Sequence, residues 1–108
     1  MPNSLDASNC SRFLKALGDP LRLQIVEFLQ SGPKTVSDIA ECLEIEIANA
    51  SHHLHVMANA GLLTTERDGK FCYYSLASDV HVRGSSRGLS SLDFGCCRLE
   101  LGPKKSTR

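Results

Sequence analysis

The sequence contains no apolar run near the roughly 18 residues that a membrane span needs. Its first ten residues, MPNSLDASNC, lack both the basic start and the apolar stretch of a secretory signal. We therefore expect a cytoplasmic protein without a membrane partner. The 108 residues, 42% hydrophobic and 22% charged, suit one globular domain, and so small a core favours dimerisation as a way to bury more surface.

Signatures of catalysis and of zinc fingers are also missing. The sequence shows no pattern of a nucleophile with a neighbouring base, no phosphate-binding loop and no pair of catalytic carboxylates. We therefore predict that the chain is not an enzyme. The sequence contains five cysteines, which is an odd number, and no two of them have the C-x2-C spacing of zinc sites. They are Cys10, Cys42, Cys72, Cys96 and Cys97. In a reducing cytosol such cysteines are more often core residues, metal ligands or redox sensors than structural bridges.

The net charge is zero, but the charges are unevenly distributed. Residues 1–82 hold 6 Lys and Arg against 10 Asp and Glu, whereas residues 83–108 hold 6 against 2. The first part is therefore negative and the second positive. This distribution suits attraction between the two parts, within or between subunits, as readily as it suits nucleic-acid binding.

Four segments have the apolar spacing and the end signals of helices. Asp19 and Pro20 open the second, while a Thr or Ser cap with Asp38 in the first turn opens the third. Gly18 and Gly61 follow the first and the fourth. The predicted helices are 6–17, 20–30, 36–43 and 47–60.

Residues 62–76 change to a strand-like pattern around Asp68-Gly69, a strong hairpin signal. The order of three helices, a turn, a helix and a hairpin predicts a mainly α fold with a β-hairpin wing, the winged helix-turn-helix. We assign this domain to residues 1–82. Residues 83–108 form a Ser/Gly-rich, basic tail. Within residues 77–108, the apolar positions Val80, Val82 and Leu89 fit a broken helix. Residues 92–101 fit either a short strand or an extended tail.

Four motifs carry a resemblance to a known family. ALGDPLRLQIVEFL, TVSDIAECL, ASHHLHVMANAGLL and ERDGKFCYYSL stand in an order and spacing that resembles the ArsR/SmtB repressors over roughly residues 12–76. The resemblance implies a homodimeric transcriptional repressor. Its recognition helices would enter successive major grooves of operator DNA, its wings would touch the flanking backbone, and an effector would release it.

The fourth predicted helix supplies the residues that would read DNA. Ala50, Leu54 and Met57 share one apolar stripe, which leaves polar side chains on other faces that can reach base edges. His52 and His55 stand three residues apart and could share a metal, but DNA contact is the favoured reading, and His53 is expected to pack towards the hairpin or to be partly buried. The predicted DNA-binding residues are Asn49, Ser51, His52 and His55 on the helix, with Arg67 and Lys70 on the wing. Further phosphate contacts are expected among Arg12, Lys15, Arg22 and Lys34.

The adjacent Cys96 and Cys97 are the candidate sensor. Neighbouring thiols do not easily bond to each other, but they suit a thiophilic ion that a third thiolate completes. The resemblance implies trivalent arsenic or a similar metal or metalloid as the effector, with Cys10 as the third ligand, because terminal helices meet at the dimer interface in this family. The opposing reading is that Cys96 and Cys97 simply pack under the tail, while Cys42 and Cys72 are read as core.

Two other functions stay open. A redox or persulfide switch would use Cys10, Cys96 or Cys97 as attacking and resolving thiols. A winged-helix interaction module without DNA binding is the other, because residues 43–62 contain two Glu and no Lys or Arg.

Overall fold

The computed structural model describes residues 7–78, 80–84, 90–94 and 97–101. These residues form four helices and two three-stranded antiparallel sheets. The elements are α1 Ala7–Ala16, α2 Pro20–Leu29, β1 Lys34–Thr35, α3 Val36–Leu43, α4 Ile47–Asn59, β2 Leu63–Asp68, β3 Phe71–Leu76, β4 His81–Gly84, β5 Ser90–Asp93 and β6 Arg98–Leu101. None of the helices in this part of the chain is long and apolar enough to cross a membrane.

Side-chain caps fix the starts of α2 and α3, as predicted. The carboxylate of Asp19 accepts a hydrogen bond from the Leu21 N–H at 2.8 Å, directly before Pro20 in the first turn. The Thr35 hydroxyl accepts from the Asp38 N–H, and the Asp38 carboxylate accepts from the Thr35 N–H, both at 3.1 Å. These bonds satisfy amide groups that a helix start otherwise leaves without partners.

The turn between α3 and α4 depends on Glu44 in a left-handed conformation, with φ 57° and ψ 47°. This geometry lets the Ile45 N–H donate to the Ala40 carbonyl at 3.0 Å, which closes the end of α3. A residue with a Cβ pays roughly 1–2 kcal/mol for this conformation. The turn therefore sets the direction of α4 at a local cost.

The core seals one face of α4. The predicted stripe of Ala50, Leu54 and Met57 is confirmed, because each side chain is 0% exposed. Leu62, just beyond the helix, is 1% exposed, and Ile25 of α2 belongs to the same cluster. Burial of each large side chain contributes about 1.5–3 kcal/mol, so the orientation of α4 about its own axis is strongly fixed.

The predicted hairpin is confirmed as β2 and β3, which pair along their full length around Gly69 at φ 66°. The first sheet also contains β1, which the sequence pattern did not predict. Lys34 lies opposite Tyr74, and Thr35 lies opposite Tyr73. The residue that caps α3 thus lies in the same sheet as the wing.

The second sheet has the order β4-β5-β6. The expected broken helix is wrong for Val82, which lies in β4, while Leu89 lies outside the described residues. The strand reading of residues 92–101 is confirmed for β5 and β6. Leu92 is 1% exposed, and the Phe94 ring stacks on Phe13 of α1 with centroids 4.9 Å apart. The second sheet therefore packs on the helical part. The domain boundary after residue 82 stays a prediction, and β4 crosses it.

Candidate DNA-binding surface

The outward face of α4 is polar. Asn49, His52 and His55 are exposed, and Ser51 is half-buried. They occupy these positions because a helix that buries one stripe must present the intervening positions to solvent. The short side chains and the two imidazoles offer hydrogen-bond donors and acceptors without any fixed charge. Such a face can approach base edges in a major groove.

His53 lies on the other side of α4 and is 7% exposed. Its Nδ1 lies 3.1 Å from Nη1 of Arg22, so it accepts a hydrogen bond from that guanidinium when Nδ1 carries no proton. The Arg22 Nε in turn donates to the carbonyl of Ala16 at the end of α1. The expectation of partial burial is confirmed, and the polar partner of His53 is on α2.

Asp19 belongs to the same polar cluster. Partial burial pushes the pKa of its carboxyl upwards, but backbone hydrogen bonds from Leu21 and Arg22 and the charges of His53 and Arg22 outweigh that effect. The pKa of Asp19 therefore lies below its usual value. The start of α2 and the inner side of α4 are electrostatically linked through this cluster.

The wing presents Arg67 and Lys70 on either side of its exposed tip. Phe71, next to Lys70, is 56% exposed. Acidic residues share the tip, since Glu66 and Asp68 are exposed on β2. The wing cations can therefore contact phosphates, while the neighbouring carboxylates limit the attraction.

The cysteines divide into two states. Cys10, buried at 3% exposure, is disulfide-bonded, whereas Cys42, Cys72 and Cys97 are free thiols. Cys96 lies outside the described residues. The core reading of Cys42 is wrong, because Ile39, Ala40 and Leu43 occupy the inner side of α3 and leave Cys42 exposed. Cys72 is half-buried and packs against the core, which confirms its reading in part.

The described part of α1 brings Cys10 close to the second sheet. Cys10 and Phe13 stand three residues apart, so they share one face of α1, and Phe13 stacks on Phe94. The Phe94 N–H donates to the Cys97 carbonyl at 2.9 Å. Cys97 is half-buried and packs against the same core. The face of α1 and the β5–β6 junction thus meet within one chain.

Comparisons with known proteins decide the family. A model described as a helix-turn-helix domain matches residues 17–66. The repressor SdpR of Bacillus subtilis is 41% identical over 66 residues, which cover 61% of this chain and 73% of that protein. The arsenical resistance operon repressor of the same organism is 39% identical over 71 residues, covering 65% and 67% respectively.

A solved structure gives the same answer. A homodimeric winged helix-turn-helix DNA-binding domain from Mycobacterium bovis, described as a possible ArsR-family regulator, superposes with a TM-score of 0.64. It is 30% identical, over 72% of this chain and 77% of that one. The chain belongs to the ArsR/SmtB family. It is thus a transcriptional regulator with a winged helix-turn-helix fold, and not an enzyme.

The aligned part spans about two thirds of the length of several curated relatives, such as 66% of the regulator NmtR of Mycobacterium tuberculosis, which is 40% identical over 80 residues. In this ArsR/SmtB protein, α3 and α4 form the helix-turn-helix, and β2 and β3 form the wing.

Among the described residues of this ArsR/SmtB protein, no three His, Cys, Asp or Glu side chains are grouped to hold a metal ion. The predicted thiolate set also includes Cys96, which is outside that part of the chain. The structure instead groups residues that the sequence pattern did not join. Arg12 of α1 donates from Nε to the Ala60 carbonyl at 3.1 Å, across 48 positions.

Proposed function

We propose that the chain is a homodimeric, cytoplasmic repressor that binds double-stranded operator DNA through α4 and the wing. The observation that carries the proposal is the solvent-facing polar surface of α4, opposite a fully buried stripe. Asn49 suits the donor and acceptor pattern of adenine, and Ser51, His52 and His55 suit several base acceptors. Arg67 and Lys70 would contact the flanking phosphates.

The relatives support repression and dimerisation. SdpR and the arsenical operon protein are named as repressors, and the Mycobacterium bovis domain is described as a homodimer that binds DNA. In a dimer of this chain, the two copies of α4 would enter successive major grooves, about one helical turn apart. The operator would then have two-fold symmetry.

We propose that the effector acts on thiols. Several relatives are named for resistance to arsenic, cadmium or mercury, ions that bind thiolates strongly. Cys10, Cys96 and Cys97 would supply a trigonal thiolate set for such a metal or metalloid. A sulfur in a disulfide is no thiolate, so this set requires the reduced state of Cys10.

The second candidate effector is an oxidant, and one observation favours it: Cys10 is already disulfide-bonded. A peroxide would take two electrons and two protons from two thiols, which form a disulfide, and the peroxide would become two waters. The new bond would join α1 to another part of the fold and change how α1 and α4 are held. Persulfides would act on the same thiols.

The first test measures fluorescence anisotropy of labelled DNA from upstream of the gene, with random DNA as the control. We expect selective binding by the reduced protein. Changing Ser51 and His52 together to Ala should abolish selective binding and leave the dimer intact, whereas Gln24→Ala on the exposed side of α2 should bind normally. If the unchanged protein binds neither DNA measurably, an interaction module would be favoured instead, for which the two Glu and the absence of Lys and Arg in residues 43–62 argue.

The second test titrates the bound complex with arsenite, zinc and hydrogen peroxide separately. Release by arsenite from the reduced protein, lost in the Cys96→Ser and Cys97→Ser double variant, would support the metalloid site. Release by peroxide alone, lost in Cys10→Ser but kept in Cys42→Ser, would support the redox switch. An unchanged response in all these variants would eliminate both thiol proposals and leave the DNA-binding proposal standing.

A further inference from the structure

A cleft of about 460 Å³ lies between α1, the start of α2 and the outer edge of α4. This volume lies in the range of small-molecule sites. Three helices contribute to its walls, and it shares His52 with the outward face of α4. Its lining residues are Arg12, Lys15, Ala16, Arg22, His52, Val56, Asn59 and Ala60.

The charge of the cleft is unusual for this chain. Residues 1–82 contain only six Lys and Arg, and three of them, Arg12, Lys15 and Arg22, line this one cleft, together with no carboxylate. Within the residues that the structure describes, the one ion pair is Arg98 with Asp93, on the second sheet. Arg12, Lys15 and Arg22 therefore form no ion pair in this part of the chain, and the Asp19 carboxylate, which interacts with Arg22, does not line the cleft. A bound anion would add the negative charge that the lining does not contain.

Two of the cations are held in place by the protein. Arg12 uses its Nε on the Ala60 carbonyl, and Arg22 uses its Nε on the Ala16 carbonyl and Nη1 on His53. An arginine has five N–H donors, so each guanidinium keeps further donors for a ligand after these bonds. Because the protein already orders these two side chains, they would lose less conformational entropy when a ligand binds.

The rest of the lining is largely apolar. Ala16 and Ala60 are buried and Val56 is half-buried, while His52 and Asn59 add polar groups at the α4 side. Inorganic phosphate has no apolar part to place on this surface. An organic anion with an aromatic or aliphatic body has both parts that the cleft matches, its charge for the guanidinium groups and its body for the alanines and valine.

We propose that this cleft binds a small organic anion, with a carboxylate or phosphate group on an apolar body, and that its binding opposes operator binding. The binding itself does not depend on the proposed function. The antagonism does rest on it, because His52 both lines the cleft and belongs to the DNA-facing surface of α4. An occupied cleft would engage His52 and neutralise nearby cations that a DNA phosphate could otherwise use.

The test uses phenyl phosphate as the probe, with inorganic phosphate and phenol as the charged and the apolar halves of the same molecule. Each is titrated into the reduced, DNA-free chain while amide and side-chain resonances are followed by NMR. We expect phenyl phosphate to shift Lys15, His52 and Asn59 with a Kd on the order of 1 mM, and each half to bind at least about fivefold more weakly.

Lys15→Gln is the decisive variant, since Lys15 is exposed and its loss leaves the arginine bonds in place. It should weaken phenyl phosphate binding by roughly five- to tenfold. Lys34→Gln is the matched control, because Lys34 lies over the Phe28 ring, outside the cleft, and should leave the affinity unchanged. An equal loss in both variants would overturn the proposal, because it would reveal attraction to the overall charge.

Phenyl phosphate should also raise the operator Kd of the unchanged protein, and less so that of Lys15→Gln. If no cleft resonance shifts, or if inorganic phosphate binds as tightly as phenyl phosphate, the organic-anion site is refuted. Should Lys15→Gln weaken operator binding while phenyl phosphate leaves the cleft resonances unmoved, the cleft would be a DNA phosphate contact instead. A chain that binds the probe but no DNA would refute the proposed function alone.

Discussion

The helical part of the molecule and its second sheet are stabilised in different ways. In residues 7–62, side-chain caps fix the starts of α2 and α3, and the fully buried stripe of α4 packs against the other helices. The sheet of β4, β5 and β6 relies on strand pairing and on a few buried side chains, chiefly Leu92 and the stack of Phe94 on Phe13. The difference teaches that the helical part can tolerate damage to the sheet better than the reverse.

Leu54→Ala should have the largest effect, because Leu54 is 0% exposed at the centre of the helical part. We expect the free energy of unfolding to fall by about 4 kcal/mol, from lost burial and the cavity left behind. Urea denaturation followed by circular dichroism measures this, and DNA binding should be lost with the fold. Ile47→Ala, on the same helix but 55% exposed, should stay within about 0.5 kcal/mol. Similar losses in both variants would contradict the sealed stripe.

Phe94→Ala should break the other side of the comparison. Loss of its burial and of its stack on Phe13 should lower stability by about 3 kcal/mol, because Phe94 is 7% exposed and belongs to the core cluster. Hydrogen exchange should then speed up in β5 and β6, while α2 to α4 keep their protection. Phe71→Ala on the exposed wing is the control, with little change expected. Equal loss of protection in α4 would make the two parts one cooperative unit.

Asp19→Ala tests a local signal of the helical part and should lower Tm by about 3–6 °C at pH 7. Because the pKa of Asp19 is depressed in the folded state, its contribution is complete above the unfolded pKa of about 3.9 and disappears as the pH falls through the folded value. The gap between the unchanged protein and the variant should therefore narrow below about pH 4, to what an uncharged capping oxygen contributes. Asp19→Asn keeps a capping oxygen without the charge and should lose less than Asp19→Ala at pH 7. A gap of the same size at pH 2 and pH 7 would exclude the charge as its source.

Glu44→Gly should have the smallest effect and the opposite sign. Glycine adopts the left-handed conformation freely, and its greater entropy in the unfolded chain offsets part of the gain, so we expect stabilisation by about 0.5 kcal/mol. Removal of a carboxylate near the start of α4 should also tighten DNA binding slightly at low salt. Chemical denaturation and anisotropy measure the two effects. Destabilisation would show that the Glu44 side chain itself supports the turn.

Local signals explain which elements were predictable from the sequence. Asp19, Thr35 and Gly69 determine the backbone conformation of residues close to them in sequence. The structure confirms the two helix starts and the hairpin that they indicate. β1 escaped prediction because two residues show no period, and its partner strand lies almost forty positions away. β4 was read as part of a broken helix because its pairing with β5 is set by contacts and not by a local pattern.

The candidate site divides in the same way. The outward face of α4 follows from helical periodicity, so Asn49, His52 and His55 could be placed on it from the sequence alone. The cleft depends on how α1 meets α4, and no local pattern connects Arg12 with Ala60. The sequence predicts Arg12, Lys15 and Arg22 only as separate phosphate contacts, because their convergence on one cleft is a property of the tertiary structure.

The double role of Thr35 has a consequence for the operator. Thr35 caps α3 and also pairs with Tyr73 in the sheet that carries the wing, so the helix-turn-helix and the wing share a backbone anchor. In the proposed complex, the distance from the bases under α4 to the phosphates under the wing is then set by the protein. An inserted base pair between those two positions would move one contact out of reach. The protein would therefore select each half-site by this spacing as well as by its base sequence.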